Sequence, residues 1–213
     1  MINKELQKRI LSSIILIPIA FFFIIEGSIF FIFFLSLFFL ATIYEWIQMC
    51  KTRYLTIFLG IMFLIFSFFS VYYIRENYGH IFFLFIVLIC ILTDIGGFVF
   101  GKIFKGPKLT KISPNKTYSG VLGGFLLSLA ISLFFLNYTD TDFFENDPTK
   151  ILIGILFISL ISQIGDLIIS YFKRLAKIKD TGKILPGHGG LLDRIDGMIF
   201  AFPVLFLIIK IFY

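Results

Sequence analysis

The stretch from Ser170 to Asp196 gathers the side chains of phosphoryl-group transfer into 27 residues. Asp193 and Asp196 are three apart, so on a helix they project from one face and can share a metal with a carboxylate from another helix, for which Asp166 is the candidate. Magnesium suits such a sparse set, because it prefers oxygen ligands and keeps waters and substrate phosphates in its shell. Lys173, Arg174, Lys179 and Arg194 can neutralise phosphate charge, and Gly187, Gly189 and Gly190 let backbone approach a bulky anion. His188 reads either as a phosphate contact or as a turn residue, and Asp180 either as a cap or as the partner of a neighbouring lysine.

A second polar segment contains Ser113, Pro114, Lys116, Thr117 and Gly120 just ahead of an apolar run. Hydroxyls, a lysine and free backbone N–H groups at a helix start make a phosphate cradle. Ser113 or Thr117 as a plain helix cap is the other reading.

These groups need elements to carry them. Asp94 and Asp166 sit inside apolar runs, where an ionisable group at the bilayer centre costs at least ~2.5–3.5 kcal/mol. Asp94 lies eight residues before Lys102 and Asp166 seven before Lys173, so each is about 10–12 Å from the end of its helix. Ser159, Ser162, Gln163, Asp166, Ser170 and Lys173 recur at three- and four-residue spacing and form one polar stripe on an apolar helix. Cys90, Asp94, Gly97 and Gly101 share a face on another helix, where glycines admit a second backbone or a ligand. The pattern predicts a water-filled cavity opening to the cytosol; a polar packing cluster without chemistry is the alternative.

The supporting helices must be membrane-spanning. Hydrophobic residues make up 59% of the 213 and charged residues only 15%, with 31 phenylalanines, a balance outside soluble globular classes. Apolar runs give seven candidate spans, roughly 10–25, 29–43, 55–74, 81–100, 120–137, 151–172 and 197–213. The first two are short and separated only by Glu26, Gly27 and Ser28, which is compatible with two crossings or a re-entrant hairpin. The expected fold class is an all-α polytopic bundle of about seven transmembrane helices forming a single domain over residues 1–213, with a cytosol-facing polar cavity. Sixteen of the nineteen lysines and arginines fall on one set of alternate loops; Arg75, Lys150 and Lys210 fall on the other, with the acidic cluster Asp140, Asp142, Glu145 and Asp147. Retention of positive charge on the cytoplasmic side therefore predicts a cytoplasmic N-terminus. Cys50 and Cys90 have no metal-ligand spacing.

The run from Ser170 to Asp196 resembles the signature of the CDP-diacylglycerol synthase (phosphatidate cytidylyltransferase) family. In that family a serine precedes Lys-Arg, then Lys-Asp, then Pro-x-His-Gly-Gly and Asp-Arg-x-Asp, matched here by Ser170, Lys173, Arg174, Lys179, Asp180, Pro186, His188, Gly189, Gly190, Asp193, Arg194 and Asp196. Thr93 and Asp94 with Gly96 and Gly101, the element from Ser113 to Gly120, and Gly165 with Asp166 extend the likeness over about residues 90–200. Gly97 and Phe98 stand where members commonly have Ala-Tyr, and Tyr118 and Ser119 where Trp-Glu is frequent. The resemblance implies transfer of CMP from CTP to phosphatidate, giving CDP-diacylglycerol and pyrophosphate, with Mg²⁺ required and a second cation left open. It implies Asp166, Asp193 and Asp196 as metal ligands and Lys173 beside them in catalysis. Ser113, Lys116, Thr117, Arg174, Lys179, His188 and Arg194 become substrate contacts. The expected setting is a bacterial inner membrane with a cytoplasmic active site, membrane lipid around it, no nucleic-acid partner, and a homodimer left open.

Two rival readings are weaker. A CDP-alcohol phosphatidyltransferase is suggested by Asp193, Arg194, Asp196, Gly197 and Ala201, but Phe202 stands where its motif has arginine and the further aspartates are absent. An ion-coupled transporter would use intramembrane carboxylates, yet no inverted repeat is visible and the basic loop has no task there.

Overall fold

A computed structural model describes residues 4–110, 112–137, 147–185, 187 and 189–212. The chain order is α1 (Lys4–Glu26), α2 (Ser28–Cys50), α3 (Tyr54–Phe104), α4 (Tyr118–Asn137), α5 (Pro148–Leu175), α6 (Leu192–Ile195) and α7 (Met198–Phe212). Among the described residues there is no strand, only isolated bridges between Lys108 and Thr117 and between Leu185 and Gly189. The protein is an all-α polytopic membrane protein. Ser28–Cys50, Tyr54–Phe104 and Thr149–Leu175 are long and apolar enough to cross a bilayer by length and composition, with shorter apolar helices at Leu11–Glu26, Tyr118–Phe134 and Met198–Ile211. Helices serve because hydrocarbon offers backbone groups no partner outside the segment. Phe30, Phe33, Leu40, Phe58, Leu122 and Phe134 are exposed, an arrangement that only lipid would make favourable.

The helix α3 has 51 residues and would measure about 76 Å unbroken, more than twice a ~30 Å hydrocarbon core. It is interrupted at Gly79, whose φ of 80° and ψ of 168° lie outside the helical region. The break falls between the two candidate spans read from the sequence. The second helix is longer than expected, with 23 residues, or about 34 Å, whereas the apolar part of α1, Leu11–Glu26, is as short as expected.

The chain forms two compact units, each assembled from two stretches of sequence. Met1–His80 with Phe172–Ile195 make the first, and Ile81–Tyr171 with Asp196–Tyr213 the second. In the first unit the tight α1–α2 turn is held by Arg75, whose Nε and Nη2 donate to Ile24 O at 3.1 and 2.9 Å, while Nη2 also reaches Ile25 O at 3.1 Å. Those carbonyls end α1 and have no helical partner, so the guanidinium caps them. Gly27 has a φ of 70°, and a Cβ there would collide with that guanidinium. Trp46 donates to Thr56 O at 3.3 Å and meets the Phe172 ring edge-on at 5.0 Å.

In the second unit, glycines set the spacing between helices. A Cβ on Gly96 of α3 would run into the backbone of Gly123 and Gly124 on α4, and one on Gly120 would press on Gly97 O. Close backbone approach of this kind is the packing device of helices in lipid, where no hydrophobic force draws them together. Gly165 of α5 likewise faces Phe200 and Asp196 O, and Phe83 stacks on Phe202 at 5.1 Å.

Candidate active site

The second unit encloses a cavity of about 280 Å³ whose wall includes Asp94, Ser113, Lys116, Thr117, Gln163 and Asp166. The loop ahead of α4 folds back on itself: Leu109 N donates to Lys116 O at 2.8 Å, Tyr118 N to Pro107 O at 3.2 Å, and Lys116 N to Ser113 O at 3.1 Å. That turn carries the Lys116 ammonium to Asp166, with which it forms an ion pair. Ser170, one helical turn further along α5, donates to Asp166 Oδ1 at 3.3 Å. Thr117 is the N-cap of α4, its hydroxyl accepting from Gly120 N at 3.1 Å, so the capping reading of this residue is realised in the structure. It also lines the cavity, so capping leaves it beside any ligand there.

Asp94 is exposed to this space although its helix is apolar, while Thr93 beside it is buried and donates to the Ser159 hydroxyl at 2.7 Å. The polar stripe of α5 thus divides by depth. Ser159 and Ser162 are fully buried, whereas Gln163 and Asp166 reach the cavity wall. The Gln163 side-chain nitrogen is buried without a hydrogen-bond partner among the described residues. An unmade buried hydrogen bond costs about 1–3 kcal/mol, so this donor is available to a ligand that enters.

In the first unit, Lys173 in the last turn of α5 donates to Asp193 Oδ1 at 2.9 Å, and both side chains are nearly buried. Asp193 Oδ2 accepts from Thr181 N at 2.8 Å and from Gly190 N at 3.2 Å. The loop between them therefore wraps one carboxylate. It turns through Gly187 and Gly189, with φ of 78° and 86°, and Leu185 N donates to Gly189 O at 3.0 Å. Left-handed backbone of this kind favours glycine, which explains two of the three glycines there. Arg174 is exposed and donates to Ile178 O at 3.1 Å; Lys179 and Arg194 are exposed as well. His188, Lys111 and the acidic cluster over 140–145 lie outside the described residues.

The two loop aspartates do not share one helix, contrary to the expectation from their spacing. Asp193 belongs to the four-residue α6, and Asp196 lies in the turn before α7, where its Oδ1 accepts from Gly197 N at 2.9 Å. Within neither unit do three His, Cys, Asp or Glu side chains gather as a metal site among the described residues. The donor chemistry of Asp166 and Asp193 nevertheless fits a hard cation. Both present carboxylate oxygens, and each already faces positive charge, from Lys116 and Lys173 respectively.

One carboxylate escapes the sequence reading. Glu45 lies two residues past the apolar run that ends at Ile43, so it looks like an ordinary polar helix end. In the structure it is 1% exposed and receives hydrogen bonds from the loop that carries Asp193.

Residues 52–212 match the cytidylyltransferase family. A phosphatidate cytidylyltransferase of Staphylococcus aureus (strain COL) is 44% identical over 139 residues, covering 64% of this chain and 52% of the relative. One from Staphylococcus haemolyticus (strain JCSC1435) is 39% identical over 138 residues, with the same two coverages. The chain spans about half the length of the curated relatives it matches.

Proposed function

Because this chain belongs to the cytidylyltransferase family, we propose that it is a phosphatidate cytidylyltransferase, transferring CMP from CTP to phosphatidate to give CDP-diacylglycerol and pyrophosphate. The activity for which its relatives are named and the resemblance over residues 90–200 supply the substrates. The observation that carries the reading is the Lys116–Asp166 pair on a polar cavity within an otherwise apolar helical unit. A lipid-modifying enzyme needs such a place, where a charged headgroup meets a nucleotide while acyl chains stay in hydrocarbon.

The chemistry asks little of a base. A phosphatidate phosphate oxygen is already anionic; it bonds to the α-phosphorus of CTP as the bond to the β-phosphate bridge breaks and pyrophosphate leaves. The protein must hold two mutually repelling polyanions in line and offset the charge of the leaving group. Lys116 and Lys173 bring the positive charge, and the Gln163 amide and the hydroxyls of Ser113 and Thr117 bring neutral hydrogen bonds. Arg174, Lys179, His188 and Arg194 are proposed as further phosphate contacts. Bound Mg²⁺, with Asp166, Asp193 and Asp196 as its proposed oxygen ligands, would neutralise triphosphate charge.

The lysine and arginine asymmetry supports a cytoplasmic N-terminus and active site, with CTP arriving from the cytosol, and the bacterial relatives support a bacterial inner membrane as the setting. The test is CTP- and phosphatidate-dependent release of pyrophosphate by the purified chain in detergent. Product formation without phosphatidate, or none with it, would dismiss the reading; a CDP-alcohol phosphatidyltransferase would instead consume CDP-diacylglycerol, and a transporter would release nothing.

A further inference from the structure

Glu45 is a carboxylate near the end of α2, 1% exposed, in a helix that is otherwise hydrophobic. Such burial is unfavourable unless every oxygen is hydrogen-bonded. Here both are. Glu45 Oε1 accepts from Leu191 N at 2.9 Å, and Oε2 accepts from Leu192 N at 2.8 Å and from the Thr181 hydroxyl at 2.9 Å. Among the described residues these three partners are all donors, which matches the acceptor role of the two oxygens.

The partners are also specific. Leu191 N and Leu192 N are the free amides at the start of α6, the helix that holds Asp193, and Thr181 N is itself a donor to Asp193 Oδ2 at 2.8 Å. Two neighbouring glycines leave the space for the carboxylate. A Cβ on Gly182 would overlap Glu45 Oε1, and one on Gly190 would press on Glu45 Oε2 and the Thr181 hydroxyl. Glu45 and Asp193 thus grip the same loop from two sides, one carboxylate on Leu191, Leu192 and the Thr181 hydroxyl, the other on Gly190 and the Thr181 backbone.

We infer that Glu45 is a positioning residue: it clamps the 181–192 loop onto α2 and so fixes Asp193 against Lys173 for the reaction. The inference rests on the cytidylyltransferase reading for the reaction served, whereas the clamp itself rests on geometry. Glu45→Gln keeps the size but places an amide N–H against backbone donors. It is expected to lower kcat about 100-fold, as small misplacements of reacting groups do, while KM for CTP and for phosphatidate moves little. Gly190→Ala, which leaves both carboxylates and every N–H in place but crowds Glu45, should give the same kcat-selective loss. In the full chain in detergent, hydrogen–deuterium exchange of residues 181–192 should speed up in both variants, with exchange in α4 and α7 unchanged.

Each result decides something. Unaltered exchange over 181–192 in Glu45→Gln, or wild-type kcat in both variants with only a lower unfolding midpoint, overturns the inference. If Glu45→Gln does not fold, Gly190→Ala decides by the same two readouts. A wild-type chain that makes no CDP-diacylglycerol, combined with faster exchange in the variants, would sink the functional reading and leave the clamp standing.

Discussion

The Lys116 ammonium, delivered by a turn ahead of α4, is paired with Asp166 on α5, fifty residues later in the chain. The pair couples a loop to a helix interior and neutralises the Asp166 carboxylate; binding phosphate is the second task proposed for Lys116. Charge-assisted hydrogen bonds contribute about 1.5–3 kcal/mol, so Lys116→Ala should lower kcat/KM about 10- to 100-fold. If neutralising Asp166 were its only task, adding Lys116→Ala to Asp166→Asn would lose nothing beyond the Asp166→Asn variant. We expect a further fall in kcat/KM in steady-state assays of the double variant.

Asp166, Asp193 and Asp196 are proposed ligands of one Mg²⁺. Changing any of them to Asn keeps the size and removes a charge, and activity should fall by orders of magnitude in each variant. Residues that act as a unit disable the same step, so the combined losses should be far from additive. Product formation against Mg²⁺ concentration checks this. Near-normal turnover with an unchanged Mg²⁺ requirement in Asp166→Asn would assign that carboxylate to packing and to Lys116 alone.

Lys173 is nearly buried against Asp193, so removing it leaves a buried carboxylate short of a partner. Lys173→Ala should therefore reduce activity far more than Lys4→Ala in parallel assays of purified protein. Equal activities would make Lys173 a topology charge only.

Sixteen basic residues are proposed to face the cytosol. Lys105→Cys and Lys177→Cys, introduced one at a time, should both react with a membrane-impermeant maleimide from the same side, because Cys50 and Cys90 are buried and give little background. Labelling from opposite sides would break the proposed topology.

Gly96→Ala tests the α3–α4 contact. Its Cβ would meet backbone of Gly123 and Gly124, which cannot swing aside as a side chain can. Overpacking of this kind typically costs about 1–3 kcal/mol, and thermal unfolding in detergent should show a lower midpoint. Gly79→Ala, where a Cβ meets nothing within 4 Å but φ is 80° and ψ 168°, should cost a comparable ~1–3 kcal/mol through backbone strain alone.

Helix positions were legible in the sequence because lipid demands long apolar runs, and such runs have few alternatives. The break in α3 was legible too, since Arg75, Glu76 and Asn77 interrupt the hydrophobicity just before Gly79. Side-chain partners were not. The spacing of Asp193 and Asp196 suggested one helical face, but Asp196 lies in the turn between two helices, with its oxygen on Gly197 N. Glu45 was invisible for a different reason: a carboxylate at the end of a span normally reaches water, and only the distant loop that folds over it makes it a buried acceptor. The dual position of Thr117, cap and cavity wall at once, likewise depends on where its turn is carried.

Both compact units take one of their pieces from the last quarter of the chain, residues 172–195 for one and 196–213 for the other. During synthesis, then, neither can close as it leaves the ribosome. Glu45 emerges 146 residues ahead of Leu191, and until that loop arrives its carboxylate has only water to satisfy it. A nascent chain ending before Leu191 therefore lacks two of the three donors that satisfy Glu45 in the folded protein.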